Sequence, residues 1–111
     1  RRSRSLLVKN TRVGIDFAGI VIGVNSKDGS GGGHPLPVGT RVFGAMPPLH
    51  GSAAEIVQAP MHQIAKAPEN LELHEAAVLP LVSLTAWQAL HPHIVSNQSS
   101  VLIVGGSGGS G

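Results

Sequence analysis

The chain has 111 residues, of which 41% are hydrophobic and 13% charged, with a net charge of +2. That length allows one small domain or part of a larger one, and that balance excludes an intrinsically disordered chain. Cysteine is absent, which excludes disulfide stapling and every cysteine-containing zinc site and leaves the redox compartment open.

No apolar run approaches the roughly 18 residues of a membrane span, and no secretory core is present, so no membrane partner is expected. Fifteen glycines and eight prolines beside 3% aromatics indicate short strands and many turns. Residues 1–12 form a basic segment, with Arg1, Arg2, Arg4, Lys9 and Arg12 and no acid before Asp16. Neither bases nor aromatics continue that patch elsewhere, so nucleic acid is not an expected partner. The segment reads as a solvated terminus, in keeping with a cytoplasmic location. Its Arg- and Ser-rich, acid-poor composition also leaves the end of a mitochondrial presequence open.

The β-branched stretch from Gly14 to Val24 predicts a bent strand, with glycines at 14, 19 and 23 suited to close packing. Residues 25–37 carry every turn signal and no periodicity, and read as a loop. A turn from Pro37 leads into a strand ending at Gly44. Further strands are expected over Gly51–Ala59 and Ile64–Ala67, closed by Pro60 and Pro68. Together these predict a small β-barrel or sandwich.

The pattern changes at Asn70. Leu73, Ala76, Ala77, Leu84, Trp87 and Leu90 have helical spacing. Pro80 should interrupt that helix or open a second one, and His91-Pro92 ends it. Trp87, with Leu84 and Leu90, reads as a core anchor on one helix face. Glu72 stands where a helix N-cap is expected, and glutamate caps poorly.

After the polar turn 97–100, Val101-Leu102-Ile103-Val104 reads as a buried parallel strand that runs straight into glycines. Gly106, Gly108 and Gly111, with Ser107, Gly109 and Ser110 between them, fit G-x-G-x-x-G. In that pattern backbone amides approach a nucleotide pyrophosphate with no Cβ in the way. Composition alone equally describes a flexible linker. The acid expected about 20 positions further on is not part of the sequence.

The six histidines, at 34, 50, 62, 74, 91 and 93, form no i, i+4 pair on a helix, so no metal site is expected.

In order, Gly14-x-Asp16-x-Ala18-Gly19-x-Val21, Val38-Gly39-x-Arg41-Val42-x-Gly44, Gly51-Ser52-x-Ala54-Glu55, Glu75-Ala76-Ala77-x-Leu79-Pro80, Thr85-Ala86-Trp87-x-x-Leu90 and the glycine turn resemble the medium-chain dehydrogenases/reductases. The nearest likeness is the zinc-independent branch of quinone oxidoreductase and enoyl reductase type, and it covers about residues 13–111. The resemblance implies a mainly β fold. A partial GroES-like, partly open β-barrel on the substrate side, residues 13–72, would lead into the start of a Rossmann-type NAD(P)-binding domain, residues 73–111. That second part would supply a helix and the first βα strand and turn.

The resemblance also places the glycines where the family turns around its cofactor, and puts Thr85 near the nicotinamide end. A threonine bonding back to a carbonyl of its own helix is the equal alternative. Zinc-dependent relatives have a histidine ligand before the acid, where this chain has Ile15, which cannot coordinate a metal; Asp16 itself reads as a structural acid in the interdomain cleft ahead of a general acid. The implied activity is NAD(P)H-dependent hydride transfer to a quinone, enone or enoyl-type carbonyl compound. NADP(H) is expected ahead of NAD(H), with no metal, and the parent enzyme is a candidate homodimer. The 111-residue chain alone is expected to be inactive. The alternative is a non-catalytic GroES-like fragment with a binding or assembly role.

Overall fold

The β-branched stretch after Gly14 pairs as its composition suggests. The computed structural model describes residues 12–24, 36–94 and 99–111. Strand β1 (Asp16–Ile20) lies antiparallel to β2 (Arg41–Ala45), and β2 lies antiparallel to β3 (Ile64–Lys66), in the order β1-β2-β3. Asp16 stands opposite Ala45, Phe17 opposite Gly44 and Gly44 opposite Ile64. Amide bonds from Val21 to Thr40 at 2.9 Å and from Met46 to Ile15 at 2.8 Å extend the β1–β2 pairing beyond both ends. The strand expected over 14–24 therefore forms over its middle, Asp16–Ile20. The loop expected over 25–37 lies mostly outside the described residues. So does the basic segment, apart from Arg12, and part of the polar turn at 97–100.

The turn before β2 closes with the Thr40 amide on the Pro37 carbonyl at 3.1 Å, with Gly39 at φ 91° in its third position. A type II turn needs that positive φ, which glycine adopts without a Cβ penalty.

The strand expected over Gly51–Ala59 does not form. Its backbone donors go elsewhere: the Ser52 and Ala53 amides bond to the Val13 carbonyl at 3.0 and 2.9 Å, and Ala54 to Ser52 at 2.8 Å. Gly51 and Ser52 are buried as the loop clasps the stretch before β1. A single 3-10 turn, Met61–Gln63, then leads into β3.

Pro80 divides the helical region as expected. Helix α1 is Leu73–Ala76 and helix α2 is Pro80–Leu90. Proline opens α2 at a position where its missing N–H is not needed. Glu72 does sit at the N-cap of α1, and the expected weakness of that cap is offset. The Glu75 carboxylate accepts from the Glu72 amide at 2.8 Å, the returning half of a capping box.

Strand alternation places Asp16, Ala18, Arg41 and Phe43 on one face of the sheet. The Arg41 guanidinium donates to the Leu71 carbonyl, and the Asp16 carboxylate accepts from the Leu81 amide at 2.9 Å. Segment 71–81 is thus tied at two opposite ends of the β1–β2 pair. Ala76, between the ties, is wholly buried, and both helices pack on β1 and β2.

Among the described residues the buried apolar side chains are Val42, Met46, Ala67, Ala76 and Pro80, a thin core of mostly small side chains. An open three-stranded sheet thus stands among the described residues where a partly open barrel was expected. Val101–Val104 is not a strand. Its side chains are exposed, Leu102 and Val104 at 89% each. A parallel strand exists through its neighbours' ladder bonds, and none of β1, β2 and β3 pairs with this run.

Trp87 is not a core anchor. It is 62% exposed and its ring stacks on His91 with centroids 4.5 Å apart. The side chains of α2 turned inward are Pro80, Val82, Ala86 and Leu90, whereas Leu84 is exposed with Trp87. Helix α2 is apolar nearly all round, so spacing alone fits more than one stripe.

Candidate functional site

The glycine run folds as two consecutive tight turns. Gly105 takes φ 78°, the Gly108 amide bonds to the Gly105 carbonyl at 2.9 Å, and the Gly111 amide bonds to the Gly108 carbonyl at 3.2 Å. The turns close on themselves so tightly that a Cβ on Gly111 would strike the Gly105 carbonyl and lie 2.6 Å from the Gly106 Cα. All residues from Gly105 to Gly111 are exposed. Among the described residues, the amides of Gly106, Ser107, Gly109 and Ser110 donate to no backbone carbonyl. Free amides on a glycine turn suit an anionic group, because each presents a positive dipole end without steric cover.

The turn lies against helix α2: a Cβ on Gly109 would stand 3.7 Å from Val82 Cγ1. Thr85 is three residues further along the same helix, on the neighbouring turn. Its hydroxyl donates to the Leu81 carbonyl at 2.8 Å, the bond expected of a helix threonine. That bond uses the donor and leaves oxygen lone pairs free on an exposed side chain. Thr85 and the residues from Gly106 to Gly111 are thereby associated with one helix.

Asp16 is committed to the same helix. Pro80 has no amide hydrogen, so the Leu81 amide is the first donor at the α2 N-terminus, and Asp16 Oδ1 accepts it. The Asp16 carbonyl in turn accepts from the Ser52 hydroxyl at 2.6 Å. This is the arrangement of a structural acid between the sheet and the helix.

Sequence reasoning named Asp16 and the Gly51-Ser52 motif but not the bonds that join them to Leu81. A usable signal was present. Helix α2 starts at Leu79-Pro80 without a Ser, Thr, Asp or Asn at its N-cap, so its first amide needs an acceptor from elsewhere in the chain.

Away from this region, exposed Lys66 pairs with Glu69 at 2.8 Å. That hydrogen bond and the lysine charge, with a lesser part from Arg41, hold the Glu69 carboxyl below the usual carboxylate range. Among the described residues no three histidine, aspartate or glutamate side chains are gathered as metal ligands.

Asp16 thus joins the antiparallel sheet to helix α2, and the glycine turn comes near the same helix. The chain is 35% identical over 105 residues to a 2-methylene-furan-3-one reductase of Solanum lycopersicum, covering 88% of this chain and 26% of the relative. It is 38% identical over 97 residues to the mitochondrial NAD(P)H oxidoreductase RTN4IP1 of Drosophila melanogaster, covering 74% of this chain and 24% of the relative. It is 34% identical over 99 residues to a quinone oxidoreductase of Pongo abelii, covering 88% and 28%. The chain belongs to the medium-chain dehydrogenase/reductase superfamily. It spans about a quarter of the length of these relatives. No protein-family model and no solved structure matches it.

Proposed function

We propose that this chain is the junction region of a zinc-independent, NAD(P)H-dependent reductase that transfers hydride to a quinone, enone or enoyl-type carbonyl compound. The observation that carries this reading is the glycine turn, Gly105–Gly111, with four amides that donate to no backbone carbonyl among the described residues and its flank near α2. The names of the relatives, a reductase, an NAD(P)H oxidoreductase and a quinone oxidoreductase, support the chemistry.

When bound, a nicotinamide dinucleotide supplies the hydride. The chain's own part is to hold and orient it. The amides of Gly106, Ser107, Gly109 and Ser110 take the pyrophosphate, and the absence of side chains at 106, 108, 109 and 111 lets it approach. The lone pairs of the Thr85 hydroxyl are offered toward the nicotinamide end. NADP(H) is proposed ahead of NAD(H). Ile15, which cannot ligate a metal, is the reason for proposing chemistry without zinc. The full-length protein is proposed as a homodimer. A cytoplasmic location is proposed, and the mitochondrial RTN4IP1 relatives together with the basic segment support the mitochondrial alternative.

The 111-residue chain alone is proposed to lack turnover. Val101–Val104 gains no ladder bonds from β1, β2 or β3, so the turn it leads into is held chiefly by its own two bonds and by α2. The test is NADPH consumption with a quinone and an enone. The full-length protein should oxidise NADPH above a no-enzyme control, and the isolated chain should not. A full-length protein inert toward both acceptor classes would overturn the reading, as would steady turnover by the isolated chain for its second part.

A further inference from the structure

We infer that Asp16 is a positioning residue for the cofactor site: it fixes the N-terminus of helix α2, and through that helix sets the glycine turn and Thr85 against the sheet. The inference rests on the cofactor reading above and adds to it the residue that joins the two halves of the junction.

The geometry runs from Leu81 through Asp16 and Ser52 to the backbone at Val13 and Gly14. Helix α2 begins at Leu79-Pro80 with no side-chain cap of its own. Its first available amide, that of Leu81, is bonded by a carboxylate that lies 65 positions earlier in the chain, at the start of β1. A negative carboxylate at a helix N-terminus is favoured by the positive end of the macrodipole, so the bond is aligned with the local field. Asp16 is itself anchored, because the buried Ser52 hydroxyl donates to its carbonyl at 2.6 Å. Ser52 in turn is held by its amide on Val13 and Gly14, at 3.0 and 3.1 Å. The loop 51–54, which departs from the strand expected there, thus has a use: it clamps the backbone of the residue that caps α2.

The consequence reaches the site in one step. The residue after Leu81 is Val82, whose Cγ1 would stand 3.7 Å from a Cβ placed on Gly109 of the glycine turn. The carbonyl of Leu81 accepts the Thr85 hydroxyl at 2.8 Å. One peptide residue therefore receives Asp16 at its amide and Thr85 at its carbonyl, and its neighbour carries the turn. Releasing the Leu81 amide frees the first turn of α2 to fray or tilt, and both cofactor-facing elements move with it. The Arg41 tie to Leu71 lies before α1, on the far side of the Pro80 break, and does not substitute for it.

The test uses the full-length protein and three variants. Asp16→Ala removes the acceptor. Asp16→Asn keeps an oxygen acceptor at the same reach without the charge. Asp16→Glu keeps the charge and moves the carboxylate by one methylene. Two quantities are read: the NADPH Kd by calorimetry, and amide exchange of the peptide spanning 79–90 by mass spectrometry.

Asp16→Ala should raise the Kd tenfold or more and speed exchange of 79–90 at least tenfold, with other sheet peptides unchanged. Asp16→Asn should stay within threefold of wild type on both. Should Asp16→Ala not fold, Asp16→Glu is read in its place, with the same direction expected on both quantities. Unchanged exchange of 79–90 would overturn the inference, and so would faster exchange with an unchanged Kd. If wild type itself binds no NADPH, the cofactor reading has failed, and the inference falls with it before any variant is compared.

Discussion

Gly44 on β2 gives the sharpest test of the packing, because two effects of known sign oppose each other there. Its φ lies outside the left-handed region, so the backbone would accept alanine. On that ground alone Gly44→Ala would stabilise by about 0.4–1 kcal/mol, through a less flexible unfolded chain. The surroundings say otherwise. A Cβ at 44 would run into the Gln63 carbonyl, which is backbone, and would stand 3.0 Å from the edge of the Phe17 ring. Overpacking of this kind costs about 1–3 kcal/mol. The clash wins, leaving a net loss of about 1–2 kcal/mol, or roughly 4–10 °C in Tm for a domain of this size.

Gly19 on β1 is the matched control, with nothing within 4 Å of its Cβ position. Gly19→Ala should be neutral or stabilising by up to about 1 kcal/mol. Thermal unfolding followed by circular dichroism measures both. A Gly44→Ala protein as stable as wild type, or more so, would refute the close approach of residues 61–63 to β2.

Two further outcomes follow from local geometry. Leu49 occupies the third position of the Pro47–His50 turn with φ 74° and an exposed side chain. The left-handed conformation costs a leucine about 1–2 kcal/mol, against about 0.5–1 kcal/mol of added chain entropy for glycine, so Leu49→Gly should raise the urea midpoint slightly; a lowered midpoint would contradict it. The Glu69 carboxyl is held low by Lys66, so its small stabilising effect is present above the ordinary glutamate range and is lost as pH falls through the lowered folded value. In Lys66→Met the Glu69 carboxyl resonance should titrate at higher pH than in wild type, and an unchanged titration would show that the pair does not form in solution.

The sheet was legible where the physics is local. β-Branched composition located β1, the turn at Pro37 located β2, and Pro60 and Pro68 bracketed β3. Pro80 marked the break between helices because a missing amide has the same consequence in any context. Three readings failed for one shared reason, that tertiary partners decide them. The stretch 51–59 reads as a strand by composition, yet the Ser52 and Ala53 amides are taken by the Val13 carbonyl. Val101–Val104 has the side chains of a buried strand, but pairing is a property of the neighbours. Trp87 sits on a helix apolar on several sides, so spacing could not choose which stripe turns inward. At the candidate site, the glycine turn and Thr85 were visible as motifs, whereas the Asp16–Leu81 bond spans most of the chain and leaves no periodic trace.

The central claim, that the turn from Gly106 to Gly111 receives a dinucleotide pyrophosphate, is tested most directly by calorimetric titration of NADPH into full-length wild type and its Gly108→Val variant. The ideal Cβ at 108 already lies 3.2 Å from the Gly105 carbonyl, so the branched side chain must project toward the free amides or open the turn. The account predicts measurable affinity in wild type and a Kd raised at least tenfold in the variant, with the far-UV spectrum unchanged. Equal NADPH affinity in the two folded proteins would contradict it.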